Sequence, residues 1–455
     1  MNDIVRTETA SSTPAFFSDL IEALTARGRA ILRGGGKPPA APADLEEIAN
    51  ALLSRRGEAS GVALAATLLS AYREASTLEK QTFFRALVER FGPRVEATER
   101  ALEAYRQSPG QTTISDLHAA SEPRRQELFR RLNLAPGGTA QLVSMRVDLL
   151  SFIKQEPDLA IVDSDLMHLL ASWFNRGFLS VRPIDWSTPA HILEKIIRYE
   201  AVHEIEGWDD LRNRLKPADR RCYGFFHPQL VDEPIIFVEV ALTTSVAGSI
   251  DDLLDVTRTP TAPQSAQFAI FYSISNTQAG LKGVNFGNFL IKQVVEILKA
   301  EHPHLKGYVT LSPMPCFAAW LEAQQSGDKG VGSESLLDDP GWLEDAGSRK
   351  EVYPYLLQSA ARYLVEAKDH LGRPLDPVSR FHLGNGAKLD RICFAADTSP
   401  KGIKQSHALM VNYRYDPGEI ERNHEAFAES GTIAVNPEIV QLLSGSFPSK
   451  GEYSL

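Results

Sequence analysis

Cysteine is scarce in this 455-residue chain: Cys222, Cys316 and Cys393 are the three thiols, and no Cys-x-x-Cys pair exists. Three cysteines cannot scaffold a chain of this length with disulfides, and the missing pair removes the usual zinc and redox motifs. Free thiols fit a reducing compartment. Positive charge is short as well. Lys and Arg number 48 against 58 Asp and Glu, a formal net charge of −10. Nucleic acids and membrane surfaces require concentrated positive charge, so neither is an expected partner. A small anionic ligand stays open, because it needs only a local group of donors. No apolar run approaches the roughly 20 residues that span a bilayer. The opening "MNDIVRTETASS" has no apolar signal segment, and Asp3 and Glu8 argue against a transit peptide. Tyr453-Ser454-Leu455 is not the peroxisomal address. A cytoplasmic location is the expectation.

What is present describes a globular protein: 43% hydrophobic and 23% charged residues, at a length that suits two or three domains. The first half, rich in Ala, Leu, Arg and Glu, reads as helices. At 165–174, Leu166, Leu169, Leu170, Trp173 and Phe174 repeat at helical spacing. Weaker versions fall near 15–32, 43–55, 60–75, 79–91, 94–107 and 139–154. "GGGKPPAAPA" (34–43) reads as a flexible connection; Pro38 stands where a phosphate loop needs Ser or Thr. The pattern shifts at "NRGFLSVRPIDW", with Gly177 as a helix C-cap and Thr188-Pro189 as the start of the next helix. Strands then follow: 234–242, 267–275, 305–312, 391–397 and 408–415 are β-branched or aromatic runs bounded by turn residues. The second half is therefore α+β.

The window 267–321 carries the ligand signal. "QFAIFYSIS" passes into "NTQAGLKGVNFGN", then a helix with Phe286, Leu290, Val294, Ile297 and Leu298 on its apolar face, then a strand ending at Ser312. A glycine-bearing strand-to-helix turn exposes backbone N–H groups at the positive end of the helix dipole, which suits a phosphate or pyrophosphate. Gly280, Gly283 and Gly287 would allow close approach, and Lys282 would add charge. Such turns are equally common as plain structure. The order strand, Gln-bearing glycine loop, helix, strand resembles the coenzyme A site of the GNAT acyltransferases. There Gln278 or Gly280 opens the loop, Gly283 is central, and Asn285 stands where Gly or Ala is usual. In that fold the flanking strands splay and the thioester lies in the gap.

A closer resemblance covers about residues 45–425. "ASWFNRGFLSVRPIDW", "EAVHEIEGWDDLRNRL", "RRCYGFFHP", "FYSISNTQAGLKGVNFGNFLIKQVV", "LSPMPCFAAWL", "FHLGNGA" and "LMVNYRY" are similar, in that order, to segments of the malonyl-CoA decarboxylase family. The resemblance implies an all-helical N-terminal domain (1–178) that serves homo-oligomer assembly, as a dimer or tetramer. A GNAT-like mixed-sheet catalytic domain (179–455) follows. The implied activity is a carboxy-lyase converting malonyl-CoA to acetyl-CoA and carbon dioxide, without metal or other cofactor. The family's catalytic serine matches Ser312 and its histidine His382. Asn285 occupies a position that is Glu in some members, and Tyr415 matches a tyrosine lining the site. Ser275, Gln278, Gly280, Lys282, Gly283, Val284 and Gly287 are the implied coenzyme A contacts.

Decarboxylating a β-keto-type thioester leaves an enolate, so the carbonyl itself is the electron sink. The protein must stabilise the oxyanion and protonate carbon. Ser312 is assigned as donor to the thioester or carboxylate oxygen and His382 as general acid, with the roles open to exchange. On the residues alone, Ser312-Pro313 reads as a helix N-cap, so Ser312 is expected to be both cap and catalyst. His382 alone reads as an exposed loop histidine, Arg220-Arg221 as a solvated turn, and His302-Pro303-His304 as a surface loop. Cys316 reads as a packed small residue, and Asn285 as a possible helix cap. The rival functions are a GNAT acyltransferase, which needs an acceptor, and a silent acyl-CoA sensor.

Overall fold

The computed structural model of the chain describes residues 44–54, 57–284, 290–325, 336–337, 339 and 341–444. The expected helix at 15–32 and the connection at 34–43 lie outside them, as do Asn285, Phe286 and Gly287. The described chain forms two compact units. One takes residues up to Leu179, with Phe226–Glu233 and the described part of Gln278–Phe286; the other takes Ser180–Phe225, Pro234–Thr277 and the described residues beyond.

Among the described residues, eight α-helices build the first unit. They are α1 (Leu45–Leu53), α2 (Glu58–Glu74), α3 (Thr77–Glu89), α4 (Val95–Gln107), α5 (Gln111–Ser121), α6 (Arg124–Asn133), α7 (Gly138–Phe152) and α8 (Ala160–Trp173). Six of them match the periodic segments of the sequence within a few residues. α3 starts where a capping box sets it: Ser76 Oγ takes the Glu79 N–H while Glu79 Oε2 takes the Ser76 N–H. Phe83, Phe84, Phe129, Leu142, Leu149, Leu166 and Leu170 form the buried core, each side chain stabilising by about 1.5–3 kcal/mol. The α4–α5 hairpin differs, since neither helix buries a residue.

The second unit is built on one eight-stranded sheet: β1 (Ser180–Pro183), β2 (Arg220–Phe226), β3 (Pro234–Thr243), β4 (Phe268–Asn276), β5 (Gly307–Thr310), β6 (Ser312–Pro313), β7 (Lys388–Cys393) and β8 (Met410–Tyr415). The order is β1-β2-β3-β4-β5-β8-β6, with β7 on the other edge of β8. β4 and β5 are the parallel pair, Phe268–Phe271 beside Gly307–Thr310. The Leu311 N–H still reaches the Phe271 carbonyl at 2.9 Å. Beyond it the two strands part. β5 and β6 both stay on β8 in one register, from Tyr308 opposite Tyr415 to Ser312 opposite Val411. The pairing of β4 with β5 therefore ends just short of Ser312.

Several local expectations are corrected. Ser312 is strand, and the next helix, α13 (Phe317–Gln325), begins five residues later, so Ser312 caps nothing. The helix after the domain boundary, α9 (Ala190–Tyr199), has Pro189 at its N-cap, while Thr188 Oγ1 accepts the Asp185 N–H instead. Gly177 lies in a 3-10 turn after α8 has ended at Trp173. Arg220 is no solvated turn residue: it opens β2, buried, with its guanidinium 5.7 Å from the Tyr272 ring. In sequence, α12 (Leu290–Glu301) precedes β5 and α15 (Pro377–Gly384) precedes β7. Between them in sequence α14 (Ala346–Val365) follows α13; α10 (Trp208–Leu215) and α11 (Ile250–Leu254) lie earlier.

Candidate active site

Strand alternation decides which side chains meet. Thr310, Ser312, Tyr413 and Tyr415 share one face of the β5/β6–β8 ladder, because register partners point the same way. The opposite face, with Val309, Leu311 and Met410, belongs to an apolar core. α15 lays His382 on the polar face. That helix is started by Asp376, whose Oδ1 accepts the N–H groups of Val378 and Ser379 at 2.9 Å, with Pro377 at N1. It ends at Gly384 with Asn385 as cap, and Gly386 just beyond has φ +81° and lies against the Ile420 carbonyl so closely that a Cβ would collide.

The result is a buried chain of four polar groups. Tyr415 OH lies 2.9 Å from His382 Nδ1, His382 Nε2 lies 3.0 Å from Ser312 Oγ, and Ser312 Oγ lies 2.9 Å from Thr310 Oγ1. The His382 ring also stacks on Tyr413 at 4.6 Å. His382 therefore sits buried at the end of a helix, not exposed in a loop. Burial lowers its pKa to about 3 and raises the Tyr415 phenol well above its ordinary value. Both groups are neutral near pH 7. Ser312 Oγ donates to Thr310 Oγ1 and so accepts from His382 Nε2, which leaves Nδ1 of the neutral ring to accept the Tyr415 hydroxyl. The imidazole proton then lies on Nε2 and points at Ser312 Oγ. This direction is the reverse of the one that strips a serine of its proton. The arrangement presents Ser312 as a hydrogen-bond donor and not as an activated nucleophile.

Asp376 connects the segments that carry Ser312 and His382. Besides capping α15, its carboxylate accepts the Tyr363 hydroxyl at 3.0 Å and the backbone N–H of Cys316, four residues after Ser312. The sequence reading missed this residue. Its only visible signal was Asp-Pro at a helix start.

The glycine loop belongs to the first unit and is described with it. Its first half is a 3-10 turn, Ala279–Leu281, and Gly283 has φ +82°. Gly280 is used for packing: a Cβ there would collide with the Val143 carbonyl of α7. Arg146, buried on α7, fixes the loop by donating to the carbonyls of Gly280 and Lys282 at 2.8 Å while paired to Asp163 at 2.7 Å. An Arg among Leu142, Val143, Met145 and Leu149 was the available clue. Lys282 and Gly283 are exposed, Val284 is buried, and Gln278 lies near Glu233 at 3.4 Å. Asn285 and Gly287 lie outside the described residues.

Ser275 goes elsewhere. Its hydroxyl is buried, 3.1 Å from a Glu200 oxygen, and accepts the Ala201 N–H at 3.1 Å. Ser273 donates to the same carboxylate. Cys316 is exposed rather than packed, and partial burial together with the Asp376 carboxylate raises its thiol pKa, so it is not an activated nucleophile. Among the described residues no group of His, Cys, Asp and Glu has metal-binding geometry.

A buried polar dyad where a parallel strand pair ends, on a mixed sheet preceded by a helical unit, defines an α+β protein with a candidate enzyme site. Comparison with known proteins is specific. The malonyl-CoA decarboxylase C-terminal domain matches residues 177–452, and the N-terminal domain of the same family matches 91–174. The mitochondrial malonyl-CoA decarboxylase of Anser anser anser is 35% identical over 353 residues, 71% of this chain and 70% of that protein. The crystal structure of malonyl-CoA decarboxylase from Rhodopseudomonas palustris is 55% identical with a TM-score of 0.84, covering 88% of this chain and 99% of that one. The Agrobacterium vitis structure is 51% identical at the same TM-score and coverage. The chain belongs to the malonyl-CoA decarboxylase family.

Proposed function

We propose that the protein decarboxylates malonyl-CoA to acetyl-CoA and carbon dioxide through a Ser312–His382 dyad. The supporting observation is the 3.0 Å contact between Ser312 Oγ and His382 Nε2, buried where the β4–β5 pairing ends and β6 continues on β8. The bond between the α-carbon and the carboxylate breaks, carbon dioxide leaves, and the electron pair becomes the enolate of acetyl-CoA. Ser312 turns its proton from Thr310 to the thioester oxygen, where charge develops. Thr310 is a neutral and weak competitor for that proton, so redirecting it costs little. His382 stands behind the serine. Its Nε2–H holds Ser312 Oγ in place, and the anionic substrate favours the imidazolium that burial opposes in the free enzyme. From there the proton passes along Nε2 and Oγ to the α-carbon, and solvent replaces it. The reaction needs no acceptor. Supplying malonyl-CoA alone therefore tests it: acetyl-CoA and carbon dioxide form in equal amounts. An acyltransferase or an acyl-CoA sensor would leave malonyl-CoA intact, and that result sinks the reading.

Gln278, Gly280, Lys282, Gly283 and Val284 are the coenzyme A contacts in this reading, with the exposed Lys282 as the charge for a phosphate. The helical unit serves homo-oligomer assembly. Support comes from the α4–α5 hairpin, which buries nothing of its own, and from Val95, Ile114, Leu78 and Leu134, all exposed on that unit. A strictly monomeric mass by light scattering would refute assembly. Three free cysteines support a cytoplasmic location, which fractionation of the native cell would check. Among the described residues, no helix is long and apolar enough to cross a membrane.

A further inference from the structure

A pocket of about 200 Å³ opens at the start of β5, lined by Lys299, Lys306, Tyr308, Arg414, Tyr415 and Asp416. It is not the thioester site. Ser312 lies five extended residues further along, about 16 Å away at the strand rise. We propose that this pocket binds a small dianion, a phosphate or a dicarboxylate, and that its occupancy adjusts turnover through Tyr415.

Lys299, Lys306 and Arg414 gather there against Asp416, with Asp390 behind Arg414, which leaves an excess of one positive charge on a chain whose net charge is −10. The cations come from three separate elements: the last turn of α12, the residue before β5, and β8. Arg414 is held in advance. Its Nε and Nη2 contact Asp390 Oδ2 at 3.0 and 2.9 Å, which fixes the plane of the guanidinium and leaves Nη1 for another acceptor. Nη1 lies beside Gly307, 3.2 Å from where a Cβ would stand, so the absent side chain leaves that nitrogen uncovered. Among the described residues Lys306 Nζ meets only the neutral Gln267 amide, at 3.1 Å. Lys299 has no ion pair among the described residues. A bound dianion would offset this local excess, and a pocket below the roughly 300 Å³ of drug-sized ligands suits a small one. Arg414 and Tyr415 are consecutive on β8, and the Tyr415 hydroxyl touches His382 Nδ1. An anion drawing on Arg414 thus acts on the strand that sets the imidazole.

The test titrates the full chain calorimetrically with inorganic phosphate and, separately, with succinate, in the wild type and in Lys299→Ala/Lys306→Ala. At least one anion binds the wild type saturably, binds the double variant about tenfold or more weakly, and still binds when coenzyme A is saturating. In the wild type alone, that anion changes kcat for malonyl-CoA and leaves KM unchanged. Equal binding to both proteins, or displacement by coenzyme A, overturns the site. An unchanged kcat with the anion bound overturns the link to Tyr415. Lys299→Gln/Lys306→Gln repeats the loss of charge with less loss of packing, should the alanine variant melt early. Calorimetry reads binding whether or not the protein decarboxylates anything, so failure here is separate from failure of the decarboxylase reading.

Discussion

Two pairs of serine-bearing strand residues lie in the same sheet and have opposite fates. On β4, Ser273 and Ser275 are spaced by two and point at Glu200. On β5/β6, Thr310 and Ser312 are spaced by two and meet His382. The Glu200 carboxylate also takes the N–H groups of Val202 and His203, at 2.8 and 2.9 Å. A charged acceptor surrounded by four donor groups holds its hydroxyl protons firmly. Ser312 instead faces a neutral imidazole and a neutral hydroxyl, so its proton can be redirected. Burial and hydroxyl chemistry are the same at both places. The partner decides which serine can act.

Removing the Ser312 hydroxyl breaks the comparison most severely. Ser312→Ala should lower kcat by roughly 10²–10³, the cost of losing an oxyanion donor, and His382→Asn should fall in the same range. Circular dichroism melts would show both variants folded. If both retain near-normal turnover with malonyl-CoA, the dyad is misassigned.

Acid sensitivity separates the two regions next. Burial holds the His382 pKa at about 3, against about 6.5 in an unfolded chain. Between those values the unfolded chain binds a proton that the folded site refuses. The contribution is therefore complete above about pH 6.5 and lost as pH falls toward 3, by up to a few kcal/mol. His203, lowered to about 3 by burial and the Arg214 charge, acts in the same direction. Glu239, raised to about 8 chiefly by burial, acts in the other, favouring the fold more below pH 8. His382→Asn removes only the first contribution. Urea unfolding at pH 7 and pH 5 should show a smaller loss of stability on acidification in the variant than in the wild type. Equal losses would mean that the imidazole is not held neutral.

How much of this was legible in the sequence follows from what each signal depends on. The runs 234–242 and 408–415 are strands because β-branched and aromatic side chains fit a sheet buried on both faces, and composition alone shows that. β2 was hidden by its opening Arg220-Arg221, since a guanidinium buried over Tyr272 resembles nothing local. α5 was invisible because its residues form no apolar stripe, unlike those of α4, which buries nothing either. Thr310 and Ser312 point at one face by alternation, yet whether that face holds a histidine depends on where α15 docks. Residue reading alone put His382 in an exposed loop and made Ser312 a cap. The family resemblance paired them, and the 3.0 Å contact supplies the physical reason. Arg146 and Asp376 stayed out of sight for a related cause: each is defined by partners distant in sequence.

The smallest expected effect sharpens the comparison where the sequence reading was least specific, at Ser275. If its hydroxyl served coenzyme A, Ser275→Ala would raise KM for malonyl-CoA and leave stability alone. The hydroxyl is instead engaged by Glu200 and the Ala201 N–H. Losing one hydrogen bond to a charged group typically costs about 1.5–3 kcal/mol. Glu200 keeps its other donors, so a loss of about 1–2 kcal/mol is expected, read as a lower urea midpoint at unchanged m-value. KM should stay within about twofold, because no substrate contact is removed. A raised KM at unchanged stability would return Ser275 to the coenzyme A site and leave Glu200 as a bystander. A lower midpoint at unchanged KM keeps the two serine pairs distinct: one spent on holding β4, the other left free to give up its proton.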